Sequence, residues 1–181
     1  MIFCATQGFP QSSPSSRGTA ISFPERRECA VNNMEIGLAR PCDIDRWMAL
    51  VEQVKDAFPG LETQESLAEH RRTVLGFMER NAAICARFDG RIAGALLFSR
   101  EDSVLCFLAV DPACRRQHIA EKLVRCMFTF LDANRDVRVT TYREGAPEGR
   151  AARAFYRHLG FVEGRLTEEF GSPVQEFVLK R

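Results

Sequence analysis

Short apolar runs alternate with longer stretches of helical period from Met34 onward. Val104 to Val110 is a continuous apolar run, the pattern of a strand buried on both faces, and Asp111-Pro112 ends it. From Ile119 the residues Ile119, Leu123, Met127 and Leu131, flanked by Ala120, Val124 and Phe128, recur at helical spacing and form one wide stripe. Upstream, Glu35 to Ala39 reads as a short strand. Pro41 and Asp43 open a helix to about Lys55 with Ile44, Trp47, Leu50, Val51 and Val54 on its inner face. A second helix covers roughly Glu65 to Asn81 and carries Leu67, Val74, Leu75 and Met78. Ala82 to Phe88 and Ile92 to Phe98 pair as a hairpin, because Asp89-Gly90 supplies the positive φ of a tight turn. A strand at Val137 to Tyr142, a helix from about Gly149 to Leu159, and closing strands near Phe161 to Leu166 and Val174 to Leu179 complete the order. The succession predicts an α/β (α+β mixed) domain, a mixed sheet with helices on both faces.

Met1 to Asn33 stands apart, with Pro10, Pro14, Pro24 and scattered serines, no amphipathic period and no secretory apolar core. It reads as a flexible extension before a single domain over 34–181, with a translation start at Met34 as one account of it and a transit peptide as the other. The 181 residues suffice for one domain with a core, and Lys+Arg 25 against Asp+Glu 24 gives no global field for nucleic acid. No apolar run approaches the roughly 20 residues that span a bilayer. Seven cysteines, an odd set with no CxxC pair, read as reduced residues of a cytoplasmic protein, and the cysteines and three histidines show no metal-ligand spacing.

Charge changes the picture locally. The first turn of that helix reads as holding Arg115, Arg116 and His118, although the positive end of a helix dipole favours acids. An anion seated among the free N-H groups there would reconcile the two. A solvated arginine pair is the plainer account.

Two separated segments, in order, resemble the GNAT superfamily of acyl-CoA-dependent N-acetyltransferases. VDPACRRQHIA is similar to that family's strand and loop ending in Arg/Gln-x-x-Gly-x-Gly/Ala, with Arg115 in the first place and Ala120 in the last. AARAFYRHLGF is similar to its Ala-x-x-x-Tyr-x-x-x-Gly-Phe, filled by Ala152, Tyr156, Gly160 and Phe161. The resemblance extends over Glu35 to Arg181. It implies a mostly antiparallel sheet of about six to seven strands with a splayed central pair. It also implies acetyl-CoA as co-substrate, no metal, and an N-acetyltransferase that acts on a small-molecule or peptide amine by direct attack in a ternary complex. Homodimers occur in the family.

By this resemblance the backbone N-H groups of Arg115, Arg116, Gln117, His118, Ile119 and Ala120 hold the CoA pyrophosphate, and Leu108, Ala109 and Val110 pair with the pantetheine amides. Tyr156 is the implied general acid to the departing thiolate; a core tyrosine bonded to a backbone carbonyl is the other account of it. The family's middle glycine is His118 here. A helical φ at that place would need no glycine, leaving the imidazole to donate to a phosphate oxygen or to turn into solvent. The Asn often found upstream of the tyrosine is Gly149. For the general base, Glu144, Glu101 and Asp102 are candidates, each also readable as a solvated loop acid. The acids Glu62, Glu65, Glu168 and Glu169 fall in the segments that shape the family's acceptor site, which suits a cationic amine. The alternative function is a catalytically inactive acyl-CoA-binding sensor or interaction module.

Overall fold

The computed structural model describes residues 34–169 and 171–181. The expected extension at 1–33 lies outside them. The described chain forms β1 (Glu35–Leu38), α1 (Ile44–Val54), α2 (Gln64–Glu79), β2 (Ala83–Phe88), β3 (Arg91–Ser99), β4 (Val104–Val110), α3 (Ile119–Phe128), β5 (Val137–Tyr142), α4 (Arg150–His158), β6 (Val162–Glu169) and β7 (Ser172–Leu179). Every element read from the hydrophobic pattern is present. The differences are at the ends, where α3 stops at Phe128 rather than near Leu131.

The seven strands make one sheet in the order β1-β2-β3-β4-β5-β7-β6. All neighbours are antiparallel except β4 and β5, which run parallel. The β2–β3 turn places Asp89 at φ 47 and Gly90 at φ 71, as the Asp-Gly pair demands. Thr63 caps α2, accepting from the Ser66 N-H while Ser66 Oγ reaches back to the Thr63 N-H. The buried Asp43 at the head of α1 is paired with Arg87 of β2 at 2.6 Å. Burial alone would raise that carboxyl, but hydrogen bonds from Arg87 and the Arg40 N-H outweigh it and hold it below its ordinary value.

Two cores sandwich the sheet. On one face α1 and α2 cover β2 to β4 through Trp47, Leu50, Val51, Val74, Leu97 and Phe107. On the other, α3 and α4 bury Ile119, Leu123, Met127 and Tyr156 against Leu96, Leu105, Val139 and Phe177. Each fully buried large apolar side chain contributes about 1.5–3 kcal/mol. Cys42, Cys85, Cys106 and Cys126 form no disulfide, whereas Cys114 is disulfide-bonded. That corrects the reading of a wholly reduced set: an odd count without CxxC pairs does not exclude a single bridge.

Candidate active site

The site begins where the sheet comes apart. β4 and β5 share the single register pair Val104↔Arg138, with the Arg138 N-H on the Ser103 carbonyl at 2.9 Å. β4 otherwise pairs only with β3, along Gly94↔Val110 to Ser99↔Val104. The alternation of an antiparallel ladder decides which backbone groups are free. Asp111 donates its N-H to the Ala93 carbonyl at 2.9 Å, so Ala109 and Phe107 bond to β3 as well. Leu108 and Val110 therefore turn their N-H and C=O into the opening toward β5. The expected splay is present, but Ala109, expected with its neighbours as a cofactor-pairing residue, spends its backbone on β3.

Beyond Val110 lies the loop read from the sequence as an anion site. The Asp111 carboxylate and carbonyl accept from the Ala113 and Cys114 N-H groups, each at 2.8 Å, closing a 3-10 turn at Pro112–Cys114. Arg116 at φ 63 and His118 at φ 57 then adopt the left-handed conformation. The expected helical φ at His118 is thus overturned, and the place favours glycine on backbone grounds. Such left-handed turns aim successive N-H groups to one side, a nest suited to anions. No described acceptor takes a hydrogen bond from the N-H groups of Arg116 to Ala120. The arginines precede the first turn of α3 rather than occupy it; Glu121 stands there, as the dipole prefers. Arg125 first, then His118, holds the Glu121 carboxyl below its ordinary value.

A cavity of about 490 Å³ opens against this loop, lined by Val110, Cys114, Arg115, Arg116, His118, Ile119, Ala120 and Glu121, with Phe155 and His158 of α4 opposite. Gln117 lines a neighbouring hollow with Lys122 and Arg125. Arg115 and Arg116 are exposed and make no ion pair among the described residues. The His118 ring is 77 % exposed, its Nδ1 3.4 Å from Glu121. Helical spacing put Phe155 on the sheet-facing side of this helix with Tyr156, but neither it nor His158 was read as lining the cofactor site; the signal for His158 is its place one turn beyond Phe155 on α4.

Tyr156 sits one residue along, only 1 % exposed, its ring centroid 5.7 Å from that of Phe161 and 6.0 Å from that of Phe177. Its hydroxyl has no hydrogen-bond partner among the described residues, so the account of a core tyrosine tied to a carbonyl is not realised. Burial pushes the phenol upward, which keeps it protonated and able to donate. Gly149, before α4, is buried, and a Cβ there would lie 2.7 Å from Tyr142 Cβ. An asparagine does not fit that backbone. The buried Arg153 ties α4 to the sheet: it donates to Gln175 Oε1 at 2.6 Å and pairs with Glu163 at 3.0 Å, its guanidinium 5.0 Å from the Phe177 ring centroid.

The three base candidates are all exposed. Glu144 pairs with Arg157 at 3.7 Å. Asp102 accepts from Ser99 Oγ at 2.8 Å, and both it and Glu101 precede β4 at the closed end of the splay. On the opposite face His70 of α2 is 1 % exposed, its ring 5.2 Å from that of Phe107, and burial lowers its pKa to about 4. Among the described residues no group of acids, histidines and cysteines could hold a metal ion, and no helix is long and apolar enough to cross a membrane.

Comparison with known proteins agrees with this geometry. Residues 79–163 match the family model of the acetyltransferase (GNAT) domain. No curated protein matches the chain. Among solved structures, a GNAT-family acetyltransferase from Bacillus cereus superposes with a TM-score of 0.62 at 17 % identity, covering 82 % of this chain and 97 % of that one. RimL, a ribosomal L7/L12 α-N-protein acetyltransferase solved with coenzyme A, gives 0.61 at 14 %, covering 82 % and 94 %. Ard1 from Thermoplasma volcanium gives 0.61 at 16 %, covering 81 % and 96 %. Residues 79–163 thus match the GNAT acetyltransferase domain, and the fold is that of GNAT acetyltransferases, in line with the resemblance of the two motifs.

Proposed function

We propose that this protein transfers an acetyl group from acetyl-CoA to a primary amine of a small molecule or peptide, by direct attack within a ternary complex. One observation carries the reading: β4 and β5 part above Val104 and Arg138, and the opening leads to the cation-lined cavity at Arg115 to Ala120. Two uncommitted arginines and a run of unused N-H groups fit a diphosphate, and the free edge of Leu108 and Val110 fits the amides of a pantetheine arm. Bound acetyl-CoA supplies the acetyl group as a thioester. Within the domain over 34–181, Arg115 and Arg116 neutralise the anion, while the N-H groups through Gln117, His118, Ile119 and Ala120 orient it. A backbone N-H in the opening polarises the thioester carbonyl. Tyr156, protonated and without an internal partner, gives its proton to the leaving sulfur.

Release of CoA thiol from acetyl-CoA with a panel of primary amines tests this. Steady turnover with at least one amine is expected, and acetyl-CoA should raise the melting temperature. A second reading, an acyl-CoA-binding module without turnover, draws on Gly149, which cannot carry the amide side chain often found there in the family. Protection from melting without thiol release by any amine would favour it.

A further inference from the structure

The three acids named from the sequence are exposed, and the geometry points instead to Glu169 as the base that takes the proton of the acceptor amine, with Thr140 holding its carboxylate. This assignment rests on the transferase reading above. The parity of β5 supports it. Val137 and Val139 pack into the core beneath α3 and α4 with Tyr156 and Phe177. The alternate residues Arg138, Thr140 and Tyr142 therefore present their side chains on the other face, the face of α1 and α2. Thr140 and Tyr142 are two and four residues past the last β4–β5 pairing, alongside the opening. Across the hairpin from them, Glu169 ends β6, and its Oε1 accepts from Thr140 Oγ1 at 2.9 Å. The phenol of Tyr142 is pushed upward by burial, then by the nearby charges of Glu148 and Glu62, so the segment before α2 reaches to the same place.

A hydroxyl donor fixes one carboxylate oxygen of Glu169 and leaves the other for a substrate N-H. Partial burial raises this carboxyl, against the hydrogen bond from Thr140 that lowers it, which moves it toward the range useful in a base. On the neighbouring strands the same face also carries Arg138, Arg165 and Glu176, the last two 3.7 Å apart. Arg143 is held by the carbonyls of Thr167 and Val174 at 2.9 and 3.3 Å. The acid and the base thus stand on opposite faces of the opening. The protonated amine gives one proton to Glu169; its nitrogen lone pair forms the C-N bond as the C-S bond breaks. The sulfur takes the Tyr156 proton, and the second proton shed by nitrogen restores the phenol through water. Glu169 returns its proton to solvent.

The test uses the full chain with acetyl-CoA and the best amine of the panel. Glu169→Gln should lower kcat/KM for the amine about 100-fold at neutral pH. It should leave acetyl-CoA affinity by calorimetry within about twofold. The deficit should shrink as pH rises and the free amine deprotonates unaided, and Thr140→Val should shift the acidic limb of the profile upward. Glu169→Asp should recover part of the rate. Carbon-13 carboxyl titration of the ligand-free protein should find Glu169 above the ordinary 4.5. Full activity in Glu169→Gln, a deficit equal at every pH, or titration at or below 4.5 overturns the assignment while leaving the transferase reading intact. Absence of turnover by the unaltered chain with every amine overturns both.

Discussion

Val104 and Arg138 form the one register pair that joins β4 to β5, and the two strands part beyond it. A parallel pair that separates after one step leaves backbone donors and acceptors unsatisfied, which costs free energy unless a ligand or water takes them. The six pairings of β4 with β3 and of β5 with β7 hold the two halves rigid while the seam stays open.

The ladder parity gives a discriminating prediction. Replacing the Val110 N-H with an ester oxygen should weaken acetyl-CoA binding about three- to tenfold, the worth of one net hydrogen bond, and leave the melting temperature nearly unchanged. The same replacement at Ala109, whose backbone bonds to β3, should lower stability and spare affinity. Calorimetry and thermal melts on the two semisynthetic proteins separate the cases; equal effects would sink the parity argument.

Tyr156→Phe should retain the fold, since the ring keeps its contacts with Phe155, Phe161 and Phe177 and the lost hydroxyl had no protein partner. Turnover should drop roughly 100-fold through kcat, with acetyl-CoA affinity barely moved, as expected for removal of a proton donor. Tyr156→Ala should instead cost about 3–5 kcal/mol of stability through the void it leaves. Urea melts beside steady-state kinetics distinguish the two; a Phe variant with full kcat removes Tyr156 from the chemistry.

His118→Gly bears on the loop. The left-handed conformation costs a non-glycine residue about 1–2 kcal/mol, partly offset by the greater freedom glycine has in the unfolded chain. The variant should melt at the same temperature or slightly higher. Because the imidazole is exposed and turned to Glu121, acetyl-CoA affinity should change by no more than about tenfold, or 1.4 kcal/mol. Loss of all binding would show that the ring itself contacts the cofactor.

Much of this was legible from the residues because it depends on local rules. The apolar run Val104 to Val110, the Asp-Gly turn and the helical stripe from Ile119 each dictate their element without help from the rest of the chain. The loop's left-handed backbone was misread because nothing in an Arg-Arg-Gln-His string demands positive φ; the path from Asp111 to α3 imposes it, and glycine is only the easiest answer. Gly149 read as a missing side chain, whereas the close approach of Tyr142 is what excludes one. Glu169 could be placed among the acids of the acceptor region but not beside Thr140, because that contact arises from strands that are distant in sequence and adjacent only through the order β5-β7-β6.

His70 sets a pH dependence of stability that owes nothing to catalysis. Burial lowers its pKa from 6.5 to about 4, so between those values the unfolded chain holds a proton that the folded chain refuses. The unfolded state binds more protons in that window, and stability must therefore rise with pH across it; the contribution is complete above 6.5 and lost as pH falls toward 4. A depression of this size corresponds to about 3 kcal/mol. Glu169, whose carboxyl is raised, works with the opposite sign nearby, so the His70 share is read as a difference between two proteins. Urea unfolding from pH 7 to pH 4 should show a steeper fall for the unaltered chain than for His70→Leu, which keeps an apolar body against Phe107 and has no proton to take up. Parallel curves for the two would mean that the imidazole is protonated in the folded state, and the core beneath α2 would then need a counter-charge.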